Sequence, residues 1–190
     1  MLVHDFWRKT VLDPAIFWSM VTAIGTLLLV YIAWIQLKDI AKTRKHEFID
    51  KIKSVFFTVE ARRLLFLIEY DFLRFHAAAI PYFEVVKTQV GNNEKRYTEL
   101  GITWETLSTY TVDDVLLGPL EDVGILEASR VIDVKQAYLT FSYYVIACWE
   151  NKQIQNYVEW ARKDRETPDI YSQFENLYKK MKKYEETANR

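Results

Sequence analysis

The sequence predicts an all-α protein, with one N-terminal transmembrane helix that continues into a cytoplasmic helical bundle. Three observations carry that prediction. Residues 14–37, PAIFWSMVTAIGTLLLVYIAWIQL, hold no charged side chain and lie between Asp13 and Lys38. Neither glycine nor proline occurs from Thr26 to Ile80. Helix-start signals recur at Asp13-Pro14, at Asp133 with Gln136, and at Thr167-Pro168.

The first element follows from length and dressing. A helix of about 20 apolar residues crosses the ~30 Å hydrocarbon core of a bilayer. Trp18, Tyr31 and Trp34 sit towards the ends of the run, where amphipathic rings prefer the headgroup level. Asp13 supplies a cap and Pro14 a residue with preset φ and no amide hydrogen to orphan. A secretory signal would end in a small-residue cleavage site, whereas this run ends in IQLKDIAKTRKHEF. Orientation follows the excess of Lys and Arg. Arg8 and Lys9 precede the run; Lys38, Lys42, Arg44 and Lys45 follow it, then Lys51 and Lys53. The N-terminus is therefore expected outside and the rest in the cytoplasm. The expected organisation is a short extracytoplasmic tail over 1–13, the span over 14–37, an extension of the same helix over 38–58, and the bundle over 59–190. Ile40, Ile49, Ile52, Val55, Phe56 and Val59 continue one apolar stripe at helical spacing through the extension.

Within the bundle, a second helix is expected over 60–80, with Leu64, Leu65, Ile68, Phe72 and Phe75 inward and Pro81 ending it. Residues 88–101, TQVGNNEKRYTELG, read as a polar loop. A broken helical segment follows from Trp104 to Leu126, interrupted at Gly118-Pro119 and closed at Gly124. Asp133 and Gln136 have capping-box spacing and open a long helix to about Lys163. Thr167-Pro168 opens the last helix, which runs to about Glu186 with Phe174, Leu177, Met181 and Tyr184 as its buried stripe.

A formal net charge of −1 argues against a generic nucleic-acid binder, which shows a strong basic excess. The one cysteine, Cys148, agrees with a reducing compartment. The juxtamembrane basic residues read as the orientation signal plus attraction to anionic lipid. Those at Arg162, Lys163 and Arg165, and at Lys179, Lys180, Lys182 and Lys183, read as solvated helix faces.

Candidate functional residues lie mainly in the span. Ser19, Thr22, Ala23 and Thr26 recur at i, i+3, i+4 and i+7, and Ala33 and Gln36 extend that face. Small residues let membrane helices approach closely, and hydroxyls bond across the contact at ~0.5–2 kcal/mol each. The face reads as an oligomerisation seam, as the lining of a pore in a ring of subunits, or as hydroxyls bonded to their own backbone. No phosphate loop, metal-ligand spacing, cofactor motif or hydrolase signature occurs, so no catalytic, metal or small-molecule site is assigned. His4, His46 and His76 are the histidines. Helical ribonuclease domains of the HEPN type place an Arg and a His four to six residues apart on one helix. Arg74 is too close to His76 for that pattern, and Arg62 and Arg63 are too far.

Two resemblances add to this reading. The stretches LEDVGILEASRVID (Leu120–Asp133), FSYYVIACWE (Phe141–Glu150) and YSQFENL (Tyr171–Leu177) resemble a family of small bacterial single-span proteins with a cytoplasmic helical domain and no assigned activity. In size and order of parts the chain is also similar to the membrane accessory proteins of type VI-B, RNA-targeting CRISPR systems. That likeness implies a divergent HEPN-like bundle, a bacterial inner membrane, self-assembly into a pore that lowers membrane potential, and a CRISPR effector complex or RNA-derived signal as partner. The expectation is a non-enzymatic antiviral-defence accessory. The alternatives are a membrane-tethered scaffold or sensor and a degenerate ribonuclease.

Overall fold

The computed structural model describes residues 14–86 and 94–188. The expected tail over 1–13, with Asp13, His4, Arg8 and Lys9, lies outside the described residues, as does the first part of the expected 88–101 loop. The chain divides into two compact units, Met1–Glu47 and Phe48–Arg190.

Helix α1 runs unbroken over Pro14–Phe56, 43 residues. It stops where the chain tightens into a turn: the amides of Phe57 and Thr58 donate three residues back, to Ser54 and Val55 at 3.3 and 3.2 Å. Thr58 then becomes the N-cap of helix α2 (Val59–Glu69), its hydroxyl accepting the Ala61 amide at 3.2 Å. Of the expected apolar stripe, Ile52 and Phe56 are buried and Ile49 is partly so, while Ile40 and Val59 are exposed.

The expected helix over 60–80 is cut at Glu69. Asp71 takes a left-handed φ of 54°. Its amide donates to Ile68 and that of Phe72 to Leu67, at 3.1 and 2.8 Å. This is the Schellman arrangement, which satisfies the last carbonyls of a helix. The chain then forms strand β1 (Leu73–His76), which pairs antiparallel with β2 (Tyr82–Val85), and β2 pairs with β3 (Thr106–Ser108). Leu73 stands opposite Val85, and Phe83 opposite Leu107, all four buried. A four-residue segment satisfies helical and strand periods alike, so pairing partners decide it. Part of the expected polar loop is a short helix, α3 (Glu94–Glu99).

The segment expected as a broken helix from Trp104 begins instead with β3. It continues as α4 (Thr109–Val112), a π-helical turn (Asp113–Leu117) and α5 (Gly118–Ala128). Gly118-Pro119 does not interrupt the helix. Pro119 has no amide hydrogen to give, and the widened turn precedes it, with the Gly118 amide donating to Asp113 O. Gly124 does not close α5 either. There α5 packs directly on the Gln173 backbone, leaving no room for a side chain.

Helix α6 (Val134–Glu150) starts at the expected capping box: Gln136 N–H donates to Asp133 Oδ1 at 2.7 Å, and Asp133 N–H to Gln136 Oε1 at 3.2 Å. The helix expected to reach Lys163 breaks at Asn151. That buried side chain accepts the amides of Gln153 and Ile154 and donates to Ile68 O at 3.0 Å. It caps a new helix, α7 (Lys152–Asp164), and ties it to the end of α2. Helix α8 (Ser172–Ala188) starts beyond Thr167-Pro168 because residues 167–171 are spent on turns. Phe174, Leu177 and Met181 are buried as expected, and Tyr184 partly. The core joins α2, α5, α6, α7, α8 and the inner face of the sheet around Leu64, Leu67, Phe83, Leu120, Phe141 and Tyr157.

Four helices end in the same way. After α5 the left-handed residue is Arg130, after α7 it is Glu166, and after α3 it is Gly101. Only one of the four is glycine. An L side chain in this conformation costs ~1–2 kcal/mol, and glycine escapes it at some loss of chain entropy. Arg130→Gly is therefore expected to stabilise the domain by about 0.5–1 kcal/mol, read as a raised unfolding midpoint. An unchanged or lower midpoint would mean that the Arg130 side chain contributes more than its backbone costs.

Candidate functional site

The sequence-predicted residues fall on α1. Ser19, Thr22, Ala23, Thr26, Ala33 and Gln36 are exposed, as are Trp18, Tyr31 and Trp34. The hydroxyls turn inward to their own helix. Ser19 Oγ donates to Ala15 O at 2.8 Å and Thr26 Oγ1 to Thr22 O at 2.9 Å. Thr22 Oγ1 lies 3.0 Å from Trp18 O and 2.9 Å from Ser19 O. Each hydroxyl keeps an accepting lone pair, so the face is small, polar and internally satisfied. At the other end, Lys38 Nζ lies 3.9 Å from the centre of the Trp34 ring, one turn away, and Tyr31 packs on Trp34 at 6.3 Å. An aromatic ring and a cation paired in this way suit the boundary between hydrocarbon and headgroups. Lys42 and Arg44 are exposed and Lys45 is half-buried.

The second unit, Phe48–Arg190, contains a polar node that the sequence did not reveal. Asp113, on the π-helical turn, accepts the Tyr157 hydroxyl at 2.6 Å through one oxygen and the Tyr171 hydroxyl at 2.5 Å through the other. Arg165 stands 4.0 Å from the same carboxylate. Tyr157 is buried on α7, and Tyr171 holds a left-handed φ of 56° just before α8. Burial first, and then the bond to Asp113, push both phenols above their ordinary value of 10.0. With one oxygen on each tyrosine hydroxyl, Asp113 ties the π-helical turn to α7 and to the approach to α8. A second carboxylate does similar work. Glu121 on α5 accepts the amides of Gln173 and Phe174 at 3.2 and 2.7 Å and so caps α8 from another helix. The only sequence signal for these groups was acid placed within apolar runs, TVDDVLLGPLEDV, which is as common on solvated faces.

Other candidate chemistry is occupied by structure. His76 and Arg74 lie on β1, not on a helix. His76 Nε2 meets Glu84 Oε2 at 2.9 Å and its ring stacks on Tyr82. Burial pushes the Cys148 thiol up to about 12, so it stays neutral at physiological pH. Among the described residues no group of three His, Cys, Asp or Glu side chains could hold a metal ion. No protein-family profile matches the chain, and neither a curated protein nor a solved structure does so.

Proposed function

We propose that this chain is a single-pass membrane protein that assembles with copies of itself through its N-terminal helix. The supporting observation is the state of α1. It is the one helix among the described residues long and apolar enough to cross a bilayer, and none of its most apolar window is buried inside the chain. Apolar surface of that extent on a helix with satisfied backbone belongs in hydrocarbon. The Lys and Arg excess after residue 37 supports an N-terminus outside and residues 38–190 in the cytoplasm, and the likeness in layout stated above supports a bacterial inner membrane. The face of Ser19, Thr22, Ala23, Thr26, Ala33 and Gln36 is then the contact between copies. In the fuller form of this reading the assembled helices enclose a pore that lowers membrane potential. The protein serves RNA-targeting CRISPR immunity as an accessory, with a divergent HEPN-like cytoplasmic bundle. Its likeness in layout to such accessories supports that form. The inward-turned hydroxyls favour a second reading, a membrane-tethered scaffold whose bundle docks a cytoplasmic partner.

The double variant Thr22→Leu, Thr26→Leu tests assembly. Each hydroxyl contributes ~0.5–2 kcal/mol to a helix contact, so the pair is expected to weaken association about fivefold or more. Light scattering of the full-length protein in detergent reads this as a fall in mass. Unchanged mass would sink both the seam and the pore. Exchange of residues 14–37 for an unrelated span then separates the two readings: a scaffold keeps its function and a pore loses it.

A further inference from the structure

A cleft in the second unit has a lining that neither the membrane reading nor the polar node uses. It is an open cleft of about 240 Å³ between the Phe56–Phe57 turn, α2, α3 and α6. Its aromatic wall is built in layers. Tyr144 stacks on buried Phe56 at 4.5 Å and 23°, and Tyr143 meets Tyr144 edge-on at 5.4 Å. Phe57 lines it too and is 65% exposed, so its ring is open to a ligand.

The charge in the cleft is positive. Arg62 and Arg96 both line it and both are exposed. Arg62 Nε reaches Thr58 O at 3.4 Å, and the Arg96 guanidinium lies 5.6 Å from the centre of the Phe66 ring. Among the described residues no carboxylate pairs with either. The one acid in the lining, Glu69, accepts the Tyr143 hydroxyl at 2.9 Å. Two planar guanidiniums match phosphate oxygens bidentately, and phenyl faces stack on any base at ~1–3 kcal/mol each. Glu69 and Tyr143 add an acceptor and a phenol for the edge of a ring. The volume lies just under the ~300–1,000 Å³ usual for ligand pockets, which suits one nucleotide unit.

We propose that this cleft binds a single nucleotide unit, with its base against Phe57 and Tyr143 and its phosphate held by Arg62 and Arg96. The inference uses residues 56–144 only and does not rest on the membrane reading. The test is equilibrium dialysis of the full-length protein in detergent against adenosine 5′-monophosphate. One nucleotide per chain is expected, saturating below about 1 mM. Arg62→Gln and Arg96→Gln should each weaken binding about tenfold or more, and Phe57→Ala about fivefold or more. All three side chains are exposed, so unfolding midpoints should hold; if one arginine variant misfolds, Phe57→Ala still decides. A short single-stranded RNA that binds more tightly than the mononucleotide would assign the site to a strand end, and weaker binding would assign it to free nucleotide. Absence of saturable binding, affinity unchanged in all three variants, or inorganic phosphate displacing the nucleotide at equal concentration would overturn the proposal.

Discussion

Gly124→Ala is expected to destabilise the helical domain by about 2 kcal/mol or more, although alanine is the better helix former by ~1 kcal/mol. A Cβ at this position would lie 2.4 Å from Gln173 O and 2.5 Å from Gln173 C. Those atoms are backbone and cannot swing aside, so α5 and α8 must part by roughly an ångström to reach ordinary contact. Gln173 is also where Glu121, one turn before Gly124, caps α8. Separation therefore stretches the cap as well as the packing around Leu120 and Phe174. Denaturant unfolding followed by circular dichroism reads the loss as a lower midpoint at unchanged slope. A midpoint equal to or above that of the parent would show that α8 adjusts freely, and the close approach would then have no structural weight.

Asp113→Ala is expected to cost about 2–5 kcal/mol, because each stranded tyrosine hydroxyl loses its partner at ~1–3 kcal/mol. Asp113→Asn keeps the shape and should cost less, about 1–2 kcal/mol. The node joins the π-helical turn, α7 and the approach to α8, so its loss also frees Tyr171 from the bond that accompanies its left-handed backbone. A pH signature accompanies it. Tyr157 and Tyr171 have folded pKa values raised above 10.0, by burial first and by Asp113 second. The folded chain thus retains two protons that the unfolded chain releases. The contribution is complete below about pH 10 and fades as pH rises further, so stability should fall on the alkaline side. Unfolding midpoints between about pH 8 and 11 measure it. In Asp113→Ala burial, the larger cause, still raises both phenols, so the alkaline fall should persist; its complete loss would show that Asp113 rather than burial carries it.

Much of the candidate membrane segment was legible in the chain. A long uncharged run, its aromatic ends and the basic residues beyond it are local facts of composition, and a helix needs only its own backbone to form. The small-residue face was legible as a spacing but not as a chemistry: that its hydroxyls bond the Ala15, Trp18, Ser19 and Thr22 carbonyls is a matter of rotamer. The arginine-aromatic cleft was not legible, because Phe57, Arg96 and Tyr143 come from three separate elements.

By itself the sequence determined the mostly helical class, the unbroken α1, the capping box at Asp133 and the buried stripe of α8. Each is set within a few residues by propensity, capping or periodicity. Only the tertiary structure decided where helices stop. Asp71, Arg130 and Glu166 take the conformation usually given to glycine, and no residue type announces that. Asn151 breaks a helix by reaching Ile68, far away in sequence, and Leu73–His76 becomes a strand because Tyr82–Val85 lies beside it. The physical reason is common to these cases. Termination, strand pairing and the Asp113 and Glu121 bonds all depend on partners that contact alone brings together, and their free energy exists only once the chain has closed on itself.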